Sequence, residues 1–322
     1  MLKRLTTLAS LLGVAVASTA ALAYPDKPIS VVVPFAAGGP TDVVARSLAQ
    51  AMGGPLKGTL VIDNVNGAGG TIGAGKVARA PGDGYTLLFH HIGMSTAPTL
   101  YRKLDFKPLD DFIPIGAVVD VPMTLVTKPQ MTQTNLKELL AYIRANKDKI
   151  NLANAGIGSA SHLCGLLFQN ALKTELTTVP FSGTGPAMTA LLGGNVDVMC
   201  DQTTNTTGQI KAGKVKAFAV TSKGKLANFP DLPPLATELP GFEVGVWHIL
   251  YAPKNTPADV VNKLQGALQA AIKDPAFIAK MKDLGAEIMP VERQTSAGAK
   301  ALLSAEISKW APIIQAAKAY AD

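Results

Sequence analysis

Cysteine and histidine are scarce in this 322-residue chain, which holds two of the first and four of the second. The histidines show no H-x-x-x-H spacing, and neighbours such as His90 and His91 at a strand end are expected to point to opposite faces. A metal centre needs three or four convergent ligands, so the pattern argues against one, and no cofactor is expected. Cys164 sits in an apolar helical stretch and Cys200 ends a strand, which favours two buried thiols over a pair, although an exported chain allows pairing.

Other signatures are incomplete. The nearest string to a G-x-S-x-G nucleophile elbow, Ile157-Gly158-Ser159-Ala160-Ser161, lacks the flanking glycines, and His162 follows Ser161 where neighbours at a helix start diverge. A hydrolase is therefore the weaker rival. Gly70 to Lys76 matches the first seven positions of a phosphate-binding loop, but Val77 stands where a magnesium-binding hydroxyl is required, so these glycines read as turn and close-packing residues. The lysines are scattered without interleaved aromatics, which excludes nucleic acid as a partner. Beyond residue 23 no apolar run approaches the ~20 residues of a membrane span.

Residues 1–23 do carry a pattern: Lys3 and Arg4, an apolar centre from Leu8 to Val16, and small residues ending Ala21-Leu22-Ala23. That is a secretory signal peptide, cleaved near Ala23, so the mature protein leaves the cytoplasm. No Cys follows the cleavage point to carry a lipid anchor. Losing Lys3 and Arg4 leaves 28 basic residues against 23 acidic ones, a charge of +5 in place of +7. The remaining chain exceeds the usual size of one core, so two lobes are expected.

The organising stretch is 29–51, where an apolar β-branched run meets Ala36-Ala37-Gly38-Gly39-Pro40-Thr41-Asp42 and then Val43, Val44, Leu48 and Ala51 at helical spacing. It reads as strand, tight turn and helix, with Pro40 suited to the first helical position. Such a helix start presents unpaired N–H groups and the positive end of a dipole, so it can hold an anion without a basic side chain. The construction recurs: 149–155 leads into Gly156-Ile157-Gly158-Ser159 and a helix over 163–172, and 177–181 leads into Ser182-Gly183-Thr184-Gly185 and a helix over 188–192.

Strands are also expected at 59–64 and 85–89, with His90 to Thr96 as the loop after the latter. Two apolar extended stretches, 113–126 interrupted by Pro122 and 242–251, bracket a complete βα set. Chain that leaves one lobe, builds a second and returns gives an α/β clamp with two crossovers, Pro122 near one and Gly241 and Gly245 near the other. The expected lobes are 24–124 with 246–322, and 125–245. Amphipathic helices follow at 258–271, 275–284 and 296–317, the last kinked or ended by Pro312.

Tyr24-Pro25-Asp26-Lys27-Pro28-Ile29, Val33 to Asp42, Pro81-Gly82-Asp83-Gly84-Tyr85, Gly158 to Leu163, and Val179 to Ala187 with Leu191 to Met199 resemble, in order, the Bug family of periplasmic solute receptors of tripartite tricarboxylate transporters. The resemblance covers nearly the whole mature chain. It implies a two-lobe periplasmic-binding-protein fold with a hinge, an interlobe cleft gripping a small carboxylate, and delivery to a membrane permease of two integral subunits. Carried over by position, the first pincer is Phe35, Gly38, Gly39, Thr41 and Asp42. The second is Asn154, Ser159, Ser161 and His162, with Phe181, Gly183, Thr184 and Gly185 beside it. His91 joins them as a strand-end residue that departs from the usual family pattern. A monomer is expected, with a dicarboxylate ligand or, if His91 and Phe35 form a flat wall, an aromatic monocarboxylate. A receptor that serves a signalling partner is the alternative, because the same closure serves both.

Overall fold

The computed structural model describes residues 24–321. The segment read as a signal peptide, 1–23, lies outside them. No helix among the described residues is long and apolar enough to cross a membrane.

The valine-rich β1 (Ile29–Val33) is buried except at Ser30 and lies parallel between β2 (Leu60–Asn64) and β3 (Thr86–His91). Parallel strands with apolar side chains on both faces need helices on both, and α1 (Pro40–Leu56), α2 (Thr71–Ala78) and α3 (Gly93–Leu100) follow the three strands in turn. The long β4 (Phe112–Thr127) then leads into a second set. That set comprises α4 (Leu136–Ala145), β5 (Asn151–Asn154), α5 (Ala160–Leu172), β6 (Thr177–Pro180), α6 (Thr184–Leu192), β7 (Val198–Gln202), α7 (Thr203–Lys211) and β8 (Lys216–Val220). The chain returns through β9 (Gly245–Pro253), α8 (Ala258–Ala271), α9 (Pro275–Asp283), β10 (Glu287–Ile288) and α10 (Ser296–Ala317).

β4 is the seam between the two sets. Its residues Phe112 to Pro122 pair antiparallel with β9, whereas Met123 to Thr127 pair with β7 on one edge and Thr124 to Thr127 with β8 on the other. The strand order is β2-β1-β3-β9-β4-β7-β5-β6. Thr221, fully buried, ties the seam to the returning chain: its hydroxyl accepts from the Met123 N–H at 2.8 Å and donates to the Val244 carbonyl at 2.6 Å.

Four expectations are corrected here. Pro122 does not interrupt β4, because it falls where the partner changes, opposite Gly245, the first residue of β9. Pro312 does not end α10, which runs through it with Trp310 and Ile314 buried on either side. β3 extends through His90 and His91, and α3 replaces the expected loop after them. Cys164 and Cys200 form a disulfide, since α5 packs across β7 and brings their Cα atoms to 6.1 Å.

Candidate ligand-binding site

A cavity of about 440 Å³ lies where the N-termini of α1, α5 and α6 meet the turn Asn66 to Gly70. Among the described residues its wall contains no Lys or Arg. Each of these helices begins where chain turns from a strand, so its first N–H groups lack intrahelical partners and its dipole presents positive charge to the same space.

The α1 entry is held from behind. Gly38 adopts φ +75°, a conformation glycine reaches without strain, and its N–H donates to Asp42 Oδ2 at 2.8 Å. Asp42 also receives Arg46 Nε at 2.8 Å and Asn64 Nδ2 at 2.9 Å. Burial pushes the Asp42 carboxyl up, but the hydrogen bonds from Arg46, Gly38 and Asn64 outweigh it and hold the group below its ordinary range. At the second entry Ser159 caps α5, Ser161 Oγ accepts from the Ala155 N–H at 2.8 Å, and Asn154 Oδ1 accepts from the Gly156 N–H at 2.8 Å. His162 Nδ1 accepts from the Gly158 N–H, and burial lowers its pKa to about 4.

An aromatic and imidazole cluster closes one side. Phe35 stacks on His91 with ring centroids 4.4 Å apart, and the rings of His90 and His248 lie 5.0 and 5.8 Å from that of His91. The expectation that His90 and His91 diverge is thus corrected: His90 Nδ1 accepts from the His91 N–H, and His91 Nδ1 from the Gly93 N–H, which folds both rings towards Phe35. The same two bonds place the ring proton of each on Nε2. Burial, then the nearby His248, lowers His90 to about 3, and burial, then His90 and His248, pushes His91 well below its usual value, so both are neutral. His248 is lowered to about 3 by burial and bridges Val246 O and the Thr41 hydroxyl, at 2.9 and 3.2 Å. Among the described residues no group of these side chains is arranged to hold a metal ion.

Of the fourteen residues expected at the site, Phe35, Gly39, Thr41, His91, Ser159, Ser161, Phe181, Gly183 and Thr184 line the cavity. Gly38, Asp42, Asn154, His162 and Gly185 do not; the first four brace the loops from behind. Four features escaped the sequence. The turn Asn66 to Gly70 lines the wall, with Gly69 so close to the opposite loop that a Cβ would lie 2.5 Å from the Ile157 carbonyl oxygen. Its signal was the density of glycine. Lys76, the lysine of the partial phosphate motif, instead pairs with Asp63 at 2.7 Å on the surface. Tyr101 reaches in from the end of α3, and its hydroxyl donates to the Ile157 carbonyl at 3.0 Å. Asp201 and Gln202 close the base at the end of β7, both buried, and among the described residues Gln202 Oε1 has no hydrogen-bond partner. Burial raises the Asp201 carboxyl to about 7, against lowering hydrogen bonds from Asn205 and the Gln202 backbone.

The chain is similar to known proteins over most of its length. The family described as "Tripartite tricarboxylate transporter family receptor" matches residues 44–318. The periplasmic binding protein BugD is 51% identical with a TM-score of 0.89, over 92% of this chain and 99% of that one. MatC from Rhodopseudomonas palustris, solved with bound malate, is 40% identical with a TM-score of 0.86, over 90% and 100%. R. palustris Rpa4515, solved with adipate, is 29% identical with a TM-score of 0.87, over 92% and 98%. The fold is the two-lobe one of periplasmic binding proteins, with the cavity between the lobes. The chain belongs to the tripartite tricarboxylate transporter receptor family and is a periplasmic solute-binding receptor, not an enzyme.

Proposed function

We propose that the cavity holds a small dicarboxylate and that the closed, monomeric receptor delivers it to a membrane permease of two integral subunits. The observation that carries the reading is a wall without Lys or Arg on which three helix N-termini converge. One helix start contributes ~0.3 to 1 kcal/mol, rising towards ~2 when partly buried. Three of them need added hydrogen bonds and exclusion of water to reach the ~8 kcal/mol of micromolar binding. Helix starts on opposing sides, α1 facing α5 and α6, suit an anion at each end of the ligand. Malate in MatC and adipate in Rpa4515 are both dicarboxylates. The Phe35 and His91 stack favours a second ligand class, aromatic monocarboxylates.

The lobes we assign are residues 24–124 with 246–322, and 125–245, hinged where β4 changes partner and where the chain returns between Thr221 and Gly245. Export removes a leader ending near Ala23. A thermal-shift panel of dicarboxylates, aromatic acids, amino acids and sugars tests the ligand. A ligand at ~100 times its dissociation constant adds ~2.7 kcal/mol, a shift of several degrees. Stabilisation by a neutral sugar and by no carboxylate would overturn the anion reading. Co-purification with a sensor kinase and not a permease would replace delivery with sensing.

A further inference from the structure

Resting on the carboxylate reading above, we infer that Asp201 stands at the base of the cavity as a neutral carboxylic acid that donates its proton to the ligand's carboxylate. This makes it a specificity-determining residue that couples binding to proton uptake. The geometry is that of a buried acid whose anion has no cation beside it and only the hydrogen bonds of Asn205 and the Gln202 backbone to stabilise it. Asp201 is 1% exposed and lines the cavity, and among the described residues no ion pair involves it. Its Oδ2 accepts from Asn205 Nδ2 at 2.7 Å, one turn into α7. Ionised, it would face the charge of any carboxylate brought in by the helix N-termini. Two carboxyl groups sharing a dry site hold one proton between them, and the neutral partner then becomes a donor.

The surroundings leave Asp201 as the group that titrates. β4 faces it with Thr124, its partner in register, and α7 with Asn205 and Thr206. On α5, packed against β7, His162 is uncharged near neutrality, and Cys164 is bonded to Cys200. β5 and α6 carry no titratable side chain. Across the cavity His91 is neutral by burial, Tyr101 is raised to about 12 by burial, and Asp42 is turned away onto Arg46. The Asp201 acid itself is raised by burial to about 7, so its free form begins to ionise in the neutral range.

Isothermal titration calorimetry with L-malate and with adipate, from pH 6 to 8.5 in two buffers of different ionisation heat, is the test. The expected result is net proton uptake on binding above pH 7, with affinity falling about tenfold per pH unit there. Asp201→Asn, whose amide is a permanent donor, should flatten that profile and abolish the uptake. Asp120, raised to about 6 at the seam, is unaffected by this change and so separates a hinge titration from one in the cavity. Wild-type binding that is independent of pH, or a profile unchanged in Asp201→Asn, would overturn the inference and leave the carboxylate site standing. Failure of every small carboxylate to bind at any pH would overturn the carboxylate reading and this inference with it.

Discussion

The hydroxyl of Tyr101 donates to the carbonyl oxygen of Ile157 at 3.0 Å, joining the end of α3 to the turn before α5 across the mouth of the cavity. Gly69 makes the approach possible, because a Cβ there would also lie 2.5 Å from the Tyr101 oxygen. The bond exists only when the two loops meet, so it adds to binding and not to the fold of either side. Tyr101→Phe should weaken malate binding by about fivefold, the ~1 kcal/mol of one neutral hydrogen bond, mainly through faster dissociation. Stopped-flow dissociation rates check this, and an unchanged rate would show that the latch contributes nothing.

Gly39 caps α1 with ordinary extended dihedrals, φ −75° and ψ 171°, so a side chain there is not strained by its backbone. Aspartate is also among the preferred N-cap residues, so Gly39→Asp should fold once the Ala36 carbonyl, 3.1 Å from the new Cβ, gives slightly. Its charge would occupy the place of the ligand's carboxylate, as would that of Thr184→Asp at the start of α6. Two like charges ~4 Å apart at an effective dielectric of ~20 repel by about 4 kcal/mol, on the order of a thousandfold in affinity. Normal malate binding by either folded variant places the site elsewhere.

How far the sequence reaches depends on whether local chemistry or distant packing decides an element. The α1 entry was legible because glycine, proline and periodic apolar residues specify it within twenty positions. α7 was not, since Thr203, Thr204, Thr206 and Thr207 are β-branched and poor helix formers taken alone. Tertiary partners select the helix: Thr206 meets the Thr124 hydroxyl at 2.8 Å, while Thr203 and Thr207 donate to the carbonyls of Gly285 and Leu284. Asp201 and Gln202 sit just before that helix, so their place in the cavity was hidden with it. The bracing roles of Asp42 and Asn154 were hidden for another reason, as a motif gives position and not the direction a side chain takes.

The disulfide between Cys164 and Cys200 closes a loop of sequence separation 36 across α5 and β7. By the chain-entropy argument such a crosslink destabilises the unfolded state by ~4 kcal/mol. The double variant Cys164→Ala/Cys200→Ala should lose stability of that order in urea titrations. Both sulfurs lie outside the cavity wall, so malate affinity should remain within about twofold. An unchanged urea midpoint would mean that the crosslink does not constrain the unfolded chain.

Buried ionisable groups set the pH range in which the fold persists, and they act in opposite directions. His90 and His248 are lowered to about 3 and His91 well below its usual value, all first by burial. Below the unfolded value of ~6.5 the unfolded chain binds protons that these rings refuse, so their contribution is present above ~6.5 and is lost as pH falls towards 3. Asp201, raised to about 7, has the reverse sign: its contribution is complete below the unfolded value of ~3.9 and is lost as pH rises through 7. His162 at about 4 and Asp120 at about 6, both only partly shielded, roughly offset each other. Three histidines against one aspartate leave a net of two groups, each worth at most ~1.4 kcal/mol per pH unit. Stability should therefore peak near pH 6.5 and fall by up to about 3 kcal/mol per unit towards pH 4. Urea midpoints measured at half-unit steps check the slope. A flat profile between pH 4 and 6.5 would show that the three rings are hydrated, and that the cluster behind Phe35 opens to water.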